Sequence, residues 1–133
     1  MQSKVNLARE ISDKKVAHGH ISCWWLGGSG FSFKDENDTV IYLDPYLSNS
    51  VKGIFGVDRA FSAPIAPEDV RTHAVVSTHW HEDHLDPGSI PIIAHNNPGA
   101  KFIMPPSATS HALSWGIPRS QILGIQHGQT MQV

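Results

Sequence analysis

The nine residues THWHEDHLD, 78 to 86, hold three of the chain's nine histidines together with Asp83 and Asp86, directly after the apolar run HAVVS. Residues two apart in an extended chain project to the same side. His79 and His81 therefore aim both imidazoles into one space and can share a metal ion. Asp83 stands two further on, and His84 follows it where the chain must turn, so this second pair can face a second ion beside the first. Neutral imidazole and carboxylate without thiolate suit zinc, manganese or iron(II). Two such ions close together can hold a bridging hydroxide as a nucleophile at neutral pH. The pattern predicts most of one half of a dinuclear site at the C-terminal edge of a sheet, where strand ends leave ligand positions open. His73, His95, His111 and His127 stand singly and read as ordinary surface or partly buried residues. Leu85 reads as a core plug. Asp86 serves equally well as the N-cap of a helix with Pro87 at its first position or as a support behind the cluster.

The elements that must position this loop follow from pattern and punctuation. Residues 3 to 16 carry Val5, Leu7, Ala8, Ile11 and Val16 among charges, a loose helical period. HISCWWLG, GFSF and TVIYLD then read as three short antiparallel strands, broken by Gly27 and Gly28 and by the turn DEND at 35 to 38. Residues 45 to 65 hold Pro45, Gly53, Gly56 and Pro64 with no period, and read as a functional loop that walls a pocket. From there strand and helix alternate: one helical turn in APEDV, a buried strand in THAVVST, a helix over 87 to 95, a strand in KFIMP and a helix over 106 to 115 that stops at Gly116. ILGIQ, HGQ and TMQV read as a closing hairpin. The expectation is an α/β fold whose sheet is antiparallel early and parallel later, with both later helices on one face. Residues 1–17 form an N-terminal helical extension and 18–133 the body.

Composition narrows the function classes. The chain has 133 residues, 40% of them apolar and 17% charged, and a net charge of −2, so neither nucleic acid nor an anionic membrane is an electrostatic partner. No apolar run reaches the length of a membrane span, and MQSKVNLAREISDKK lacks the apolar core of a signal peptide, which makes the cytoplasm the expected location. The single cysteine, Cys23, has no internal disulfide partner; beside Trp24 and Trp25 it reads as a small buried apolar residue.

The order His79, His81, Asp83, His84 after an apolar strand resembles the HxHxDH signature of the metallo-β-lactamase superfamily of hydrolases. WWLGGSGFSFK (24 to 34), VIYLDPYL (40 to 47), VVSTHWHEDHLD and FIMPPSATSHALSWGIPRSQI (102 to 122) together resemble the cytoplasmic lactonase branch typified by L-ascorbate-6-phosphate lactonase. The resemblance implies an αββα sandwich, of which this chain corresponds to roughly the first sheet and helix half. It implies a metal-dependent hydrolase of lactones or ester-like substrates, a sugar-phosphate lactone among them, acting through a metal-bound hydroxide. Two divalent ions, manganese or zinc, are implied: His79 and His81 for the first, Asp83 and His84 for the second, with Asp83 also orienting the attacking hydroxide. Asp44 matches the acidic residue that braces the histidine loop, and reads equally as a turn-starting aspartate before Pro45.

The family's second half supplies a further histidine to each metal and a bridging aspartate, and the last aspartate here is Asp86. Each ion is left with two ligands from this chain, against the three or four of a stable site. The expected partners are thus a small-molecule substrate and a missing C-terminal half, from the same gene, a second chain or self-association. The reading of a different class is a non-catalytic half-fold, a metal-binding or interaction module whose bare sheet pairs with a second copy. Lys52 and Arg59 in the 45 to 65 segment are the only basic residues there to meet a phosphate, and read first as solvated side chains.

Overall fold

Side-chain alternation builds the sheet. In the computed structural model, which describes residues 6–133, strands β1 (Ile21–Gly27), β2 (Gly30–Asp35), β3 (Val40–Leu43), β4 (Ala74–Val76), β5 (Lys101–Met104) and β6 (Ile122–Gly124) lie in sequence order across one six-stranded sheet. β1, β2 and β3 pair antiparallel; β3 to β6 pair parallel. The registers set Trp24, Ser32, Tyr42, Val75, Phe102 and Ile122 in one row across the sheet. That row belongs to the face that carries the core.

Helices α1 (Leu7–Asp13), α3 (Ile90–Asn96) and α4 (Thr109–Ser114) cover this face. Ile11, Ile90, Ile93, Ala94 and Ala112 pack with Leu26, Val40, Tyr42, Val75, Phe102 and Met104 in one buried cluster. Both later helices are therefore on one side of the sheet, as their apolar periods require. Ile11 ties α1 to the body, and the Lys34 ammonium donates to the carbonyls of Ile11 and Ser12, which the helix end leaves unpaired.

Among the described residues no helix lies against the other face of the sheet. Trp25 is 58% exposed, Phe31 and Phe33 stack with ring centroids 6.1 Å apart, and Ile41, Leu43 and Val76 are only half-buried. Cys23 lies on this bare side and is exposed. The expectation that it is buried is corrected by the pleat: with Trp24 facing the core, both its neighbours must face away.

Three expectations shift. Residues 50–55, inside the segment read as a loop, form helix α2 (Ser50–Phe55), closed by Gly56 at φ +74°. The segment read as one helix over 106 to 115 is a 3-10 turn, Pro106–Ala108, followed by α4. TMQV is not a strand. A turn closes on itself at 126–129, where Gln126 N–H donates to the Gln129 side chain, and the chain does not return to the sheet. The residues of the N-terminal helical period before Asn6 lie outside the described residues. No helix among the described residues is long and apolar enough to cross a membrane.

Candidate metal centre

The site grows from the ends of β3 and β4, which run parallel and finish side by side, with Leu43 paired to Val76. Asp44 leaves β3 in the left-handed region at φ +45°, a conformation that aspartate tolerates better than most residues. Its N–H donates to Val76 O at 2.8 Å, and its carboxylate turns under the loop that follows β4.

Asp44 as a residue is 3% exposed, and its carboxylate accepts three hydrogen bonds. Oδ1 takes Thr78 N–H at 2.7 Å, and Oδ2 takes the Thr78 hydroxyl at 2.7 Å and His84 Nδ1 at 2.9 Å. An ionised carboxylate can only accept, so His84 carries a proton on Nδ1, and in the neutral imidazole that tautomer leaves Nε2 bare. The same reasoning passes through Thr78. Its one hydroxyl proton goes to Asp44, so its oxygen accepts from His79 Nδ1, 2.9 Å away, and His79 Nε2 is bare too. One buried aspartate sets the tautomer of two histidines.

The bare nitrogens look into shared space. His79 Nε2 lies 3.1 Å from His81 Nδ1, and His84 Nε2 lies 3.4 Å from Asp83 Oδ2. The His79 and His84 rings are 4.0 Å apart between centroids and the His79 and His81 rings 4.6 Å. Two donors bound to one tetrahedral zinc at ordinary Zn–N lengths stand about 3.3 Å apart, so both pairs have the spacing of ligands that share an ion. Among the described residues no group of three or more histidine, cysteine, aspartate or glutamate side chains converges in this way; what the fold gathers is two pairs.

Asp86 sits elsewhere. It is fully buried, and its carboxylate accepts from the N–H groups of Leu47, Ser48 and Gly88 and from the hydroxyls of Ser48, Ser50 and Ser89. It thus clamps the 47–50 segment to the start of the helix after the histidine loop. Gly88 makes room for this: a Cβ there would stand 2.5 Å from the Ser48 side chain. Leu85 beside it is fully buried.

The other sequence candidates disperse. Lys52 pairs with Asp58 at 2.5 Å. Arg59 donates to the carbonyls of Tyr46 and Ser48, with its guanidinium 4.6 Å from the Tyr46 ring centroid. His18 bonds Glu36 and, with His20, precedes Ile21 at the end of the sheet away from the cluster. His111 comes near: its ring stacks on Trp80 at 5.5 Å and 6°, while Trp80 meets the His81 ring edge-on at 4.7 Å. The residue that sequence reasoning missed is Thr78, whose signal was a hydroxyl placed directly before the first histidine.

No protein-family model matches the chain. A probable L-ascorbate-6-phosphate lactonase of Escherichia fergusonii is 24% identical over an alignment covering 96% of this chain and 42% of that protein; its Escherichia coli counterpart is 26% identical over the same shares. The chain spans about two-fifths of the length of these curated relatives. A metallo hydrolase from the hyperthermophilic archaeon Ignicoccus hospitalis shares the fold, with a TM-score of 0.56 at 22% identity, over 86% of this chain and 43% of that one. Sheet order and the HxHxDH loop at the parallel strand ends accord with these likenesses: the chain shares its fold with a metallo hydrolase and is similar in sequence to the L-ascorbate-6-phosphate lactonases over about two-fifths of their length.

Proposed function

We propose that the chain carries one half of the metal site of a hydrolase acting on lactones or related esters. The observation that carries the reading is the double role of Asp44, which leaves Nε2 of both His79 and His84 unprotonated toward the loop's open side. His79 and His81 would hold one ion, Asp83 and His84 the other, and the oxygen and nitrogen donor set suits zinc or manganese. A divalent cation supplies such a site with an acidified water and an electrophile for a carbonyl oxygen.

The chain's own residues do the rest. Asp83, 55% exposed at its side chain, accepts a hydrogen bond from the attacking water and orients it. Trp80 and His111 form a wall on the His81 side. Asp44 and Thr78 hold the imidazoles in the ligating tautomer. In the reaction the water oxygen bonds to the carbonyl carbon, the ring carbon–oxygen bond breaks, and a proton ends on the departing alkoxide. The ligands that a stable site still needs come from further polypeptide in the same gene, a second chain or a second copy. The lactonase names of the curated relatives support the substrate class.

The double substitution His79→Ala with His81→Ala tests the ligands. Elemental analysis after zinc loading and desalting should show the first-site ion lost, with the thermal unfolding midpoint of the metal-free protein little changed. Unaltered metal stoichiometry would sink the assignment. Lactone hydrolysis, followed by acid release, should depend on supplying a complementary C-terminal half.

The bare apolar face supports a second reading, in which two copies of the half-fold pair through their sheets as a non-catalytic module. Sedimentation at micromolar concentration decides it: a stable monomer removes the idea.

A further inference from the structure

Among the described residues, His81 is the one histidine of the loop that no carboxylate or hydroxyl holds. His84 donates to Asp44 and His79 to Thr78, whereas the His81 ring has a single hydrogen-bond partner, His79 Nε2 at 3.1 Å. That contact joins the two nitrogens that would face the first ion, so it cannot orient His81 once an ion stands between them. His81 is also exposed, so burial does not fix its ring either. What remains is aromatic. The Trp80 ring meets the His81 ring at 4.7 Å and 79°, and its second aromatic contact is the His111 ring, 5.5 Å away and 6° from parallel. An edge-to-face pair and an offset stack are both favoured arrangements. His111 stands on α4, where Ala108 and Ala112, before and after it, are fully buried in the core. His111 is thus the end of this row of rings that is fixed to the body.

We propose that His111 is a positioning residue: through Trp80 it holds the His81 imidazole turned toward His79, and so readies the first ligand pair. The proposal rests on the reading of His79 and His81 as ligands. The stack is formed wholly by this chain, by one residue of the loop and one of α4, so the polypeptide that completes the site is not needed to form it. The gain is preorganisation. A ligand side chain that must be immobilised on binding weakens affinity by about 2- to 12-fold, and one aromatic pair contributes within the same range. The His111 side chain makes no hydrogen bond among the described residues. What it contributes is a flat face, and another flat ring can take its place.

The test uses the full chain. In the metal-free protein, carbon-13 NMR of the histidine rings should show His81 displaced and more mobile in His111→Ala, while the His84 ring, held by Asp44, keeps its signals. Zinc titration by calorimetry should show the first-site affinity about 2- to 12-fold weaker. His111→Phe, which keeps a flat ring and has no nitrogen, should restore both readouts, the affinity to within about twofold of the parent. His111→Gln, which removes the ring and keeps the length, repeats the loss if His111→Ala folds poorly. In a Trp80→Ala background His111→Ala should add nothing, because the path runs through Trp80. An unmoved His81 ring in His111→Ala, the same weakening by His111→Phe, or a full additional loss in the Trp80→Ala background overturns the proposal. Failure of the ligand reading looks different: zinc stoichiometry is then unaltered by His79→Ala with His81→Ala. Normal zinc loss in that double variant, with His81 insensitive to His111→Ala, sinks the proposal alone.

Discussion

Asp44→Asn is a proton-inverting substitution. The amide oxygen replaces Oδ1 and keeps the Thr78 N–H bond, but an NH2 group stands where Oδ2 accepted from the Thr78 hydroxyl and from His84 Nδ1. An NH2 donates and cannot accept. His84 must then offer Nδ1 as an acceptor and move its proton to Nε2. The Thr78 hydroxyl turns to donate to His79 Nδ1, and that proton moves to Nε2 as well. Both nitrogens that faced the ion space become blocked. Exchanging two hydrogen bonds to a charged acceptor for neutral ones costs about 1–3 kcal/mol of stability. Loss of the orienting carboxylate lowers metal affinity by about 10- to 100-fold. Zinc titration by calorimetry reads the affinity, and nitrogen-15 NMR of the metal-free imidazoles reads the tautomers directly. If the Asn protein keeps His84 bare at Nε2, or binds zinc within about threefold of the parent, the tautomer reasoning is wrong.

Two further outcomes follow from the same structure. Gly88→Ala places a methyl against Ser48 and must push the 47–50 segment off Asp86; a cost of about 1–3 kcal/mol is expected, read as a lowered midpoint in urea, and an unchanged midpoint would show that the clamp is slack. Acid should weaken the fold: Asp35 is held below the usual carboxylate range by the Thr39 N–H, Asp38 by Lys15 and Lys34, and Asp58 by Lys52. Each folded pKa lies below its unfolded value, so the stabilisation is complete above about pH 4 and drains as pH falls through the lower folded values. Thermal unfolding from pH 6 to 2 should show that decline, and Lys15→Ala should make it shallower.

The meander and the site loop were legible because their signals are local. Alternation in WWLGGSGFSFK and VIYLD, with Gly27, Gly28 and DEND as punctuation, places β1 to β3, and an apolar run ending in HxHxDH points to the two side-chain pairs proposed as ligands. The misreadings have physical causes of their own. Helix α2 has Gly53 at its centre and buries none of its residues, so it shows no period to read. HGQ carries a turn signal, but a turn predicts a returning strand only when that strand has a neighbour, and Gln129 satisfies the turn by itself. By residue pattern alone Asp44 and Asp86 are alike, both acidic residues beside a proline, and it was the resemblance that gave Asp44 the bracing role. The parallel pairing of β3 with β4, which sets Asp44 under Thr78, supplies the physical reason that it serves the histidines while Asp86 clamps the 47–50 segment.

The central claim, that the HxHxDH loop at the end of β4 presents two ligand pairs to metal, is tested most directly by anomalous diffraction from crystals grown with zinc. The account predicts a peak about 2.0–2.1 Å from both His79 Nε2 and His81 Nδ1, with any second ion beside Asp83 and His84 Nε2. A zinc peak at His111, His127 or the N-terminal histidines, with His79 and His81 still bonded to each other, would contradict it.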